Sequence, residues 1–319
     1  MGAEHHRYSP KELAIIVPTK DRPVSVRTLL ESVSRQSHMP YQVIVVDGGH
    51  PVKDLVFSFA QNFRVEYYAC DPPGQIKQRR IGLEMLAPQI RLVAFLDDKI
   101  MLAPDALEMM LACWNRVESE TAGIGFNITN VSQPAYSRCY KYFFVRSTPP
   151  GKVSLSGSNA IFPNLTEDLK TEWLGGGYTV WRKEILDMYP QREVDTRWAA
   201  GEDLRFSYPI GREYPLWACC SAKCQNVTVL DQASDENVLL YRSRAIACHE
   251  LYFAYTQQGI NFLACLWMVS GLIVIDALCG WRYSNNQQLL AAHGRLQGLF
   301  RFLRVLFSQK DNATVLNDK

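Results

Sequence analysis

The stretch from Arg91 to Asp98 constrains this chain more than any other. Leu92-Val93-Ala94-Phe95-Leu96 offers apolar side chains to both faces of an extended backbone, and it stops at two adjacent acids, Asp97 and Asp98. A strand that is apolar on both faces lies in the middle of a parallel sheet with cover on each side. Ligands of open α/β sheets bind just outside the carboxyl ends of such strands. Two carboxylates there repel each other unless a cation, a sugar hydroxyl or a base edge lies between them. The competing reading is a helix-capping Asp in a loop, as at Pro104-Asp105 nearby.

The chain before and after this strand repeats the pattern. Leu13 to Pro18 reads as a first strand, and Pro23 to Gln36 as a helix with Val26, Leu29, Leu30 and Val33 on one side. Gln42 to Asp47 is a second strand, again closed by an acid. A weaker helix follows over Val52 to Phe63, then a strand over Arg64 to Ala69, a helix over Gly74 to Leu86 and the strand over Arg91 to Leu96. Ala103 to Val117 forms a further helix, with Pro104 at a tolerated early position. This alternation predicts an α/β fold with a doubly wound, mostly parallel sheet. After Gly123 the rhythm breaks. Residues 130–172 are rich in Ser, Pro, Tyr and Asn and read as a long excursion over the sheet, a kind of loop that is functional or disordered.

Composition closes off several classes. A net charge of +2 and the lack of basic runs interleaved with aromatics argue against nucleic-acid binding. The nine cysteines are scattered, and Cys219, Cys220 and Cys224 lack paired Cys-x-x-Cys spacing, so buried thiols in a reducing cytosol are expected. The polar segment from Met1 to Lys11 carries no secretory signal, and sequons such as those at Asn127, Asn164, Asn226 and Asn312 therefore count for little.

Five segments, taken in order, resemble the inverting glycosyltransferases of family 2, which have the A-type nucleotide-sugar fold. They are Val17 to Pro23, Val45-Val46-Asp47-Gly48-Gly49, Gly74 to Gly82 with Gln78-Arg79-Arg80, Phe95 to Lys99, and Trp173 to Glu184 followed by Gly201-Glu202-Asp203. The resemblance covers about the first 210 residues. It implies donor-binding roles for Pro18, Thr19, Asp21, Arg22, Asp47, Gln75, Arg79, Asp97 and Asp98. It implies acceptor binding by Trp173, Gly176, Gly177 and Tyr178, and a general base at Asp203 with Glu202 beside it.

The chemistry supports each assignment. A leaving diphosphate gains negative charge, which a carboxylate-held divalent cation (Mn2+ or Mg2+) or a fixed Arg or Lys stabilises. Asp98 is the candidate metal ligand and Asp97 the partner of ribose or sugar hydroxyls. Asp47 can accept from a pyrimidine N–H or a ribose hydroxyl, or be a turn Asp before Gly-Gly. Arg79 can reach phosphate oxygens, or share a solvated helix face with Lys77 and Arg80. A carboxylate at Asp203 can take the acceptor proton, and Gly-Glu-Asp before Leu204 is also a good helix start. Gly175-Gly176-Gly177 lets backbone approach a sugar on which Trp173 or Tyr178 stacks, or is a plain turn.

Three positions depart from the family pattern. Lys99 replaces a third acid. No Arg follows the base in Phe206-Ser207-Tyr208-Pro209. No His appears around Ala222-Lys223-Cys224-Gln225. They leave a catalytically inactive binding or scaffold subunit as the alternative. A nucleotidyltransferase would need a Gly-rich loop where Thr19-Lys20-Asp21-Arg22 stands, and a processive synthase a Gln-x-x-Arg-Trp signature that is absent.

From about residue 240 the chain turns helical and apolar. Ile260 to Trp281 is long enough to cross a bilayer, although an Asp deep in the span, here Asp276, costs about 3 kcal/mol. Gly294 to Phe307 places Leu296, Leu299, Phe300, Leu303 and Phe307 on one face and Arg301 and Arg304 on the other. This suits a helix lying on an anionic membrane or packed on the domain. The expected organisation is a catalytic domain over 1–245, with a nucleotide-binding half (about 11–125) and an acceptor-binding half (about 126–245). A membrane-associating region follows over 246–319. The expected setting is the inner face of the cell membrane, peripheral or monotopic. The expected partners are a UDP-, dTDP- or GDP-linked sugar and a lipid-linked or glycan acceptor.

Overall fold

The computed structural model describes residues 6–131, 138–146, 148–191, 201–227 and 236–308. The sequon at Asn312 and part of the 130–172 excursion lie outside them. The chain divides into two compact units. The first holds Met1–Gln133, Ile161–Glu193 and Phe206–Val229, the second Pro134–Ala160, Val194–Arg205 and Leu230–Lys319.

The first unit is built on one mixed sheet. Its strands are β1 (Leu13–Thr19), β2 (Gln42–Asp47), β3 (Val65–Ala69), β4 (Leu92–Leu96), β5 (Ile100–Leu102), β6 (Gly123–Ile128), β7 (Leu169–Thr171), β8 (Tyr178–Arg182) and β9 (Leu216–Asn226). The spatial order is β3-β2-β1-β4-β8-β6-β9-β5, with β7 also paired to β9. β1 to β4 run parallel, as the alternating pattern predicts. β8 is antiparallel to both β4 and β6, so the excursion after β6 returns to the centre of the sheet. The helices are α1 (Pro23–Ser34), α2 (Lys53–Phe57), α3 (Gln75–Glu84), α4 (Ala106–Trp114), α5 (Arg138–Phe143), α6 (Lys183–Met188), α7 (Glu202–Glu213), α8 (Glu236–Thr256), α9 (Phe262–Arg282) and α10 (Asn286–Ser308).

Every residue of β1, β2 and β4 is buried, which explains their unbroken apolar runs. Ile15, Val17, Val43, Val45, Ala94 and Leu96 share one core cluster with Val26, Leu29 and Leu30 of α1 and Leu107 and Met110 of α4. Ile16, on the opposite face of β1, meets α3 at Gly82, where an added Cβ would lie 2.5 Å from Ile16 Cγ2. This close seating brings the start of α3 to the carboxyl ends of β1 and β4.

The second unit contains α5, α8, α9 and α10. Leu251, Met268, Val269, Leu272 and Phe302 are buried together with Phe144. Asp276, the polar residue inside the apolar segment, forms an ion pair with Arg295 of α10. The exposed large residues of α9 are Leu263, Trp267, Val274, Leu278 and Trp281, a single stripe at helical spacing. The stripe expected on α10 is split. Leu296, Phe300 and Phe307 are exposed, whereas Leu299 and Leu303 pack partly against the helical core around buried Phe302. Among the described residues one helix, Phe262–Arg282, is long and apolar enough to cross a membrane.

Replacing Gly82 by Ala forces α3 away from β1. The expected loss is about 1–3 kcal/mol, read as a lower urea midpoint, and an unchanged midpoint would contradict this packing.

Candidate active site

The site is organised by the end of β4. Asp98 is 3% exposed. It accepts a 2.8 Å hydrogen bond from the Thr19 hydroxyl at the end of β1, and the Arg22 guanidinium lies 3.3 Å from its other oxygen. Burial pushes the Asp98 carboxyl above its usual pKa. Thr19 and Arg22 oppose that shift and the neighbouring Asp97 adds to it. Asp97 is more open and is ringed by donors. The Gln75 amide donates to it at 3.1 Å, and Arg79 and Lys99 each stand 3.6 Å away, on different oxygens.

Arg79 is not on a solvated face. It is 1% exposed, stacks 5.3 Å from the Phe95 ring and donates to the Gly176 carbonyl at 2.8 Å. It therefore ties the glycine-rich segment to β4. Asp97 closes the same joint, because its N–H donates to Gly177 O at 2.8 Å. A Cβ on Gly177 would lie 2.1 Å from the Asp97 carboxyl carbon, so any larger residue there displaces the Asp97 carboxylate. Leu174 is held on the other side by the Ser207 hydroxyl, which accepts from its N–H and donates to its carbonyl. Trp173 is 2% exposed with its ring tilted against Phe162, so it packs in the core and presents no stacking face. Tyr178 is half-buried.

The β1 and β2 ends are joined by backbone and amide contacts. Pro18 and Thr19 pair with Val46 and Asp47, and the Gln78 amide donates to both Thr19 O and Val46 O at 2.7 Å. Asp47 is 2% exposed. Its oxygens accept from the N–H groups of Gly49 and Val52 and from the Tyr67 hydroxyl, so here it fixes the turn after β2. Asp21, at φ +55°, accepts from the N–H and ring of His50, and these bonds lower its pKa. Glu202 and Asp203 form the first turn of α7, in the second unit. Asp203 accepts from the Leu204 N–H at 2.8 Å, a helix-start contact.

A hard divalent cation fits oxygen ligands. Asp98, whose charge is disfavoured by burial beside a second carboxylate, is a group such an ion would relieve. A softer cluster lies elsewhere. Cys113 of α4, Cys219 of β9 and Asp168 have ligand atoms within 4.8 Å of one another. Cys113 hydrogen-bonds Cys219, and this bond lowers the pKa of the Cys219 thiol. Asp168 is already engaged by Arg116, Cys113 and the Cys220 N–H, a half-buried structural network. A polar hollow of about 470 Å3 lies at the opposite end of β4, lined by Tyr8, Arg91, Trp114, Arg182 and Lys183. Its cations pair locally, Arg91 with Glu12, Arg182 with Glu184 and Lys183 with Asp187. The strand-end cluster, not this hollow, carries the unbalanced chemistry.

Residues 14–174 match the family described as Glycosyl transferase family 2. No curated protein matches the chain. Among solved structures, the mannosyltransferase PcManGT from Pyrobaculum calidifontis, in complex with GDP-Man and Mn2+, is similar at 13% identity. The match covers 92% of this chain and 89% of that one, with a TM-score of 0.55. S. aureus TarS 1-349 in complex with UDP is 13% identical over 94% and 93% of the two chains, with a TM-score of 0.52. GalNAc-T7 with UDP, GalNAc and Mn2+ is 12% identical over 80% of this chain and 54% of that one, with a TM-score of 0.53. At such identities the likeness is one of fold.

Gly177→Ala drives a methyl into the Asp97 carboxylate. It should cost about 1–3 kcal/mol in urea unfolding, and Asp97→Ala in the same chain should recover most of that loss through coupling. Simple additivity of the two changes would contradict the joint.

Proposed function

The chain belongs to glycosyl transferase family 2, and from that premise we propose that it moves a sugar from a nucleoside-diphosphate donor to an acceptor hydroxyl with inversion at the anomeric carbon. The observation that carries this reading is the cluster at the end of β4, where Thr19, Arg22, Gln75, Arg79 and Lys99 converge on Asp97 and Asp98. The donor is a UDP-, dTDP- or GDP-linked sugar, a choice supported by the GDP-Man and UDP named for the similar structures. The acceptor is a lipid-linked or polysaccharide glycan of the cell envelope.

In the proposed reaction the acceptor oxygen forms a bond to the anomeric carbon as the bond to the diphosphate oxygen breaks. The electron pair of that bond leaves with the nucleoside diphosphate, and Asp203 takes the acceptor proton. Glu202 orients the base or the acceptor. Asp97 accepts from donor hydroxyls, with Gln75 fixing the orientation of its carboxylate. Gly176 and Gly177 let backbone approach the sugar, and Tyr178 gives the acceptor side an aromatic edge. A divalent cation, Mn2+ or Mg2+, held by Asp98 would supply positive charge to the leaving diphosphate. Residues 11–125 serve the donor, 126–245 the acceptor and 246–319 the membrane.

The exposed apolar stripe of α9 is the basis for placing the enzyme on a lipid surface at the inner face of the cell membrane. Five large apolar side chains on one face, with Asp276 neutralised by Arg295 within the unit, suit a helix lying in the plane of the bilayer.

Two experiments test these readings. Turnover of radiolabelled nucleotide sugars should fall by about a hundredfold or more in Asp98→Ala and in Asp203→Asn, and retained turnover in both would remove the mechanism. The native protein should float with anionic phospholipid vesicles, and Leu278→Glu with Trp281→Glu should stay at the bottom of the gradient. Equal flotation would remove the membrane reading.

A further inference from the structure

Positive charge outnumbers negative charge at the end of β4. Asp97 and Asp98 face three cations of the chain itself, Arg22, Arg79 and Lys99. The three are not equivalent. The Arg79 side chain is 2% exposed and is committed to Gly176 O, whereas those of Arg22 and Lys99 are 49% and 39% exposed. Both exposed cations therefore have one side on a carboxylate and one side open to an incoming anion.

Lys99 is well placed for this. Its backbone is pinned on both sides, since Ile100 N donates to Asp97 O at 3.0 Å and Val227 N donates to Lys99 O at 2.8 Å. The side chain thus starts from a fixed point, and the ammonium makes one long contact, 3.6 Å to Asp97 Oδ2. A divalent cation meets the opposite situation. Both oxygens of Asp97 already face cations, and those of Asp98 are taken by Thr19 and Arg22. An ion reaching Asp98 has to displace Arg22.

We propose that Lys99, with Arg22, is the chain's own clamp for the donor diphosphate, so that nucleoside diphosphates bind without a divalent cation. The proposal rests on the glycosyltransferase reading and deepens it. The ammonium stands at the strand end as a point charge that can turn toward phosphate oxygens, with Asp97 beside it. A cation then adds to a site that is already electropositive and competes with Arg22 for Asp98, so its effect on donor binding is small.

The test is calorimetric titration of UDP, dTDP and GDP into the full chain, in EDTA and in Mn2+. The best-binding diphosphate should bind wild type in EDTA with an affinity within about threefold of that in Mn2+. Lys99→Ala should weaken binding in EDTA by about tenfold or more. Lys99→Asp should bind only with Mn2+, and its bound ion should appear by electron paramagnetic resonance. Thermal unfolding of each variant checks that the fold is kept. Wild type that binds only with Mn2+, or Lys99→Ala that binds as wild type in EDTA, overturns the clamp and leaves the transferase reading standing. Failure of all three diphosphates to bind folded wild type in either condition overturns both.

Discussion

The hydrogen bond between the Thr19 hydroxyl and the buried Asp98 carboxylate joins the ends of two neighbouring parallel strands, and the site is arranged around it. A carboxylate that is 3% exposed is tolerated only with such partners. β1 and β4 pair in register from Leu13 opposite Leu92 to Ile16 opposite Phe95, so Thr19 and Asp98 lie three residues beyond the same paired position and meet. Asp97, one residue earlier, turns instead toward α3 and the glycine-rich segment. Arg79 and Gly177 close that segment against it. The core thus sets the strand ends, and the strand ends set the charges.

Much of this was legible in the chain. The both-face apolar runs of β1, β2 and β4 located the strands, and the acids that close β2 and β4 marked the strand ends at which the polar side chains gather. The strands that escaped notice have physical reasons to do so. β6 begins Gly123-Ile124-Gly125, which hides its pattern. β9 is made of small residues, Ala218, Cys219, Cys220, Ser221 and Ala222, and its register with β6 shifts between Phe126 and Asn127, so no regular alternation survives. β8, which follows the long excursion, has only five residues and a mixed pattern, too little to show a period, although it occupies the centre of the sheet beside β4.

Site residues divide in the same way. Thr19, Arg22, Gln75, Arg79, Asp97 and Asp98 come together, as the resemblance to the family implied. Asp47 and Trp173 lie near the right elements, but one holds a turn and the other packs in the core. Sequence type does not distinguish a carboxylate that binds from one that accepts its own turn's N–H groups, nor an exposed ring from a buried one. Gln78 and Ser207 were missed as joints, because their roles depend on main-chain carbonyls and N–H groups supplied by distant segments. The polar entry in the apolar tail also became intelligible only in three dimensions, through Arg295 one helix further on.

The central claim is that this strand-end cluster, and not the polar hollow at the other end of β4, receives a nucleoside diphosphate. Hydrogen exchange with mass spectrometry, with and without saturating UDP or GDP, tests it most directly. The expected result is slowed exchange in peptides covering 17–23, 74–82 and 95–100. Protection confined to peptides around Tyr8, Arg91 and Arg182 would contradict it.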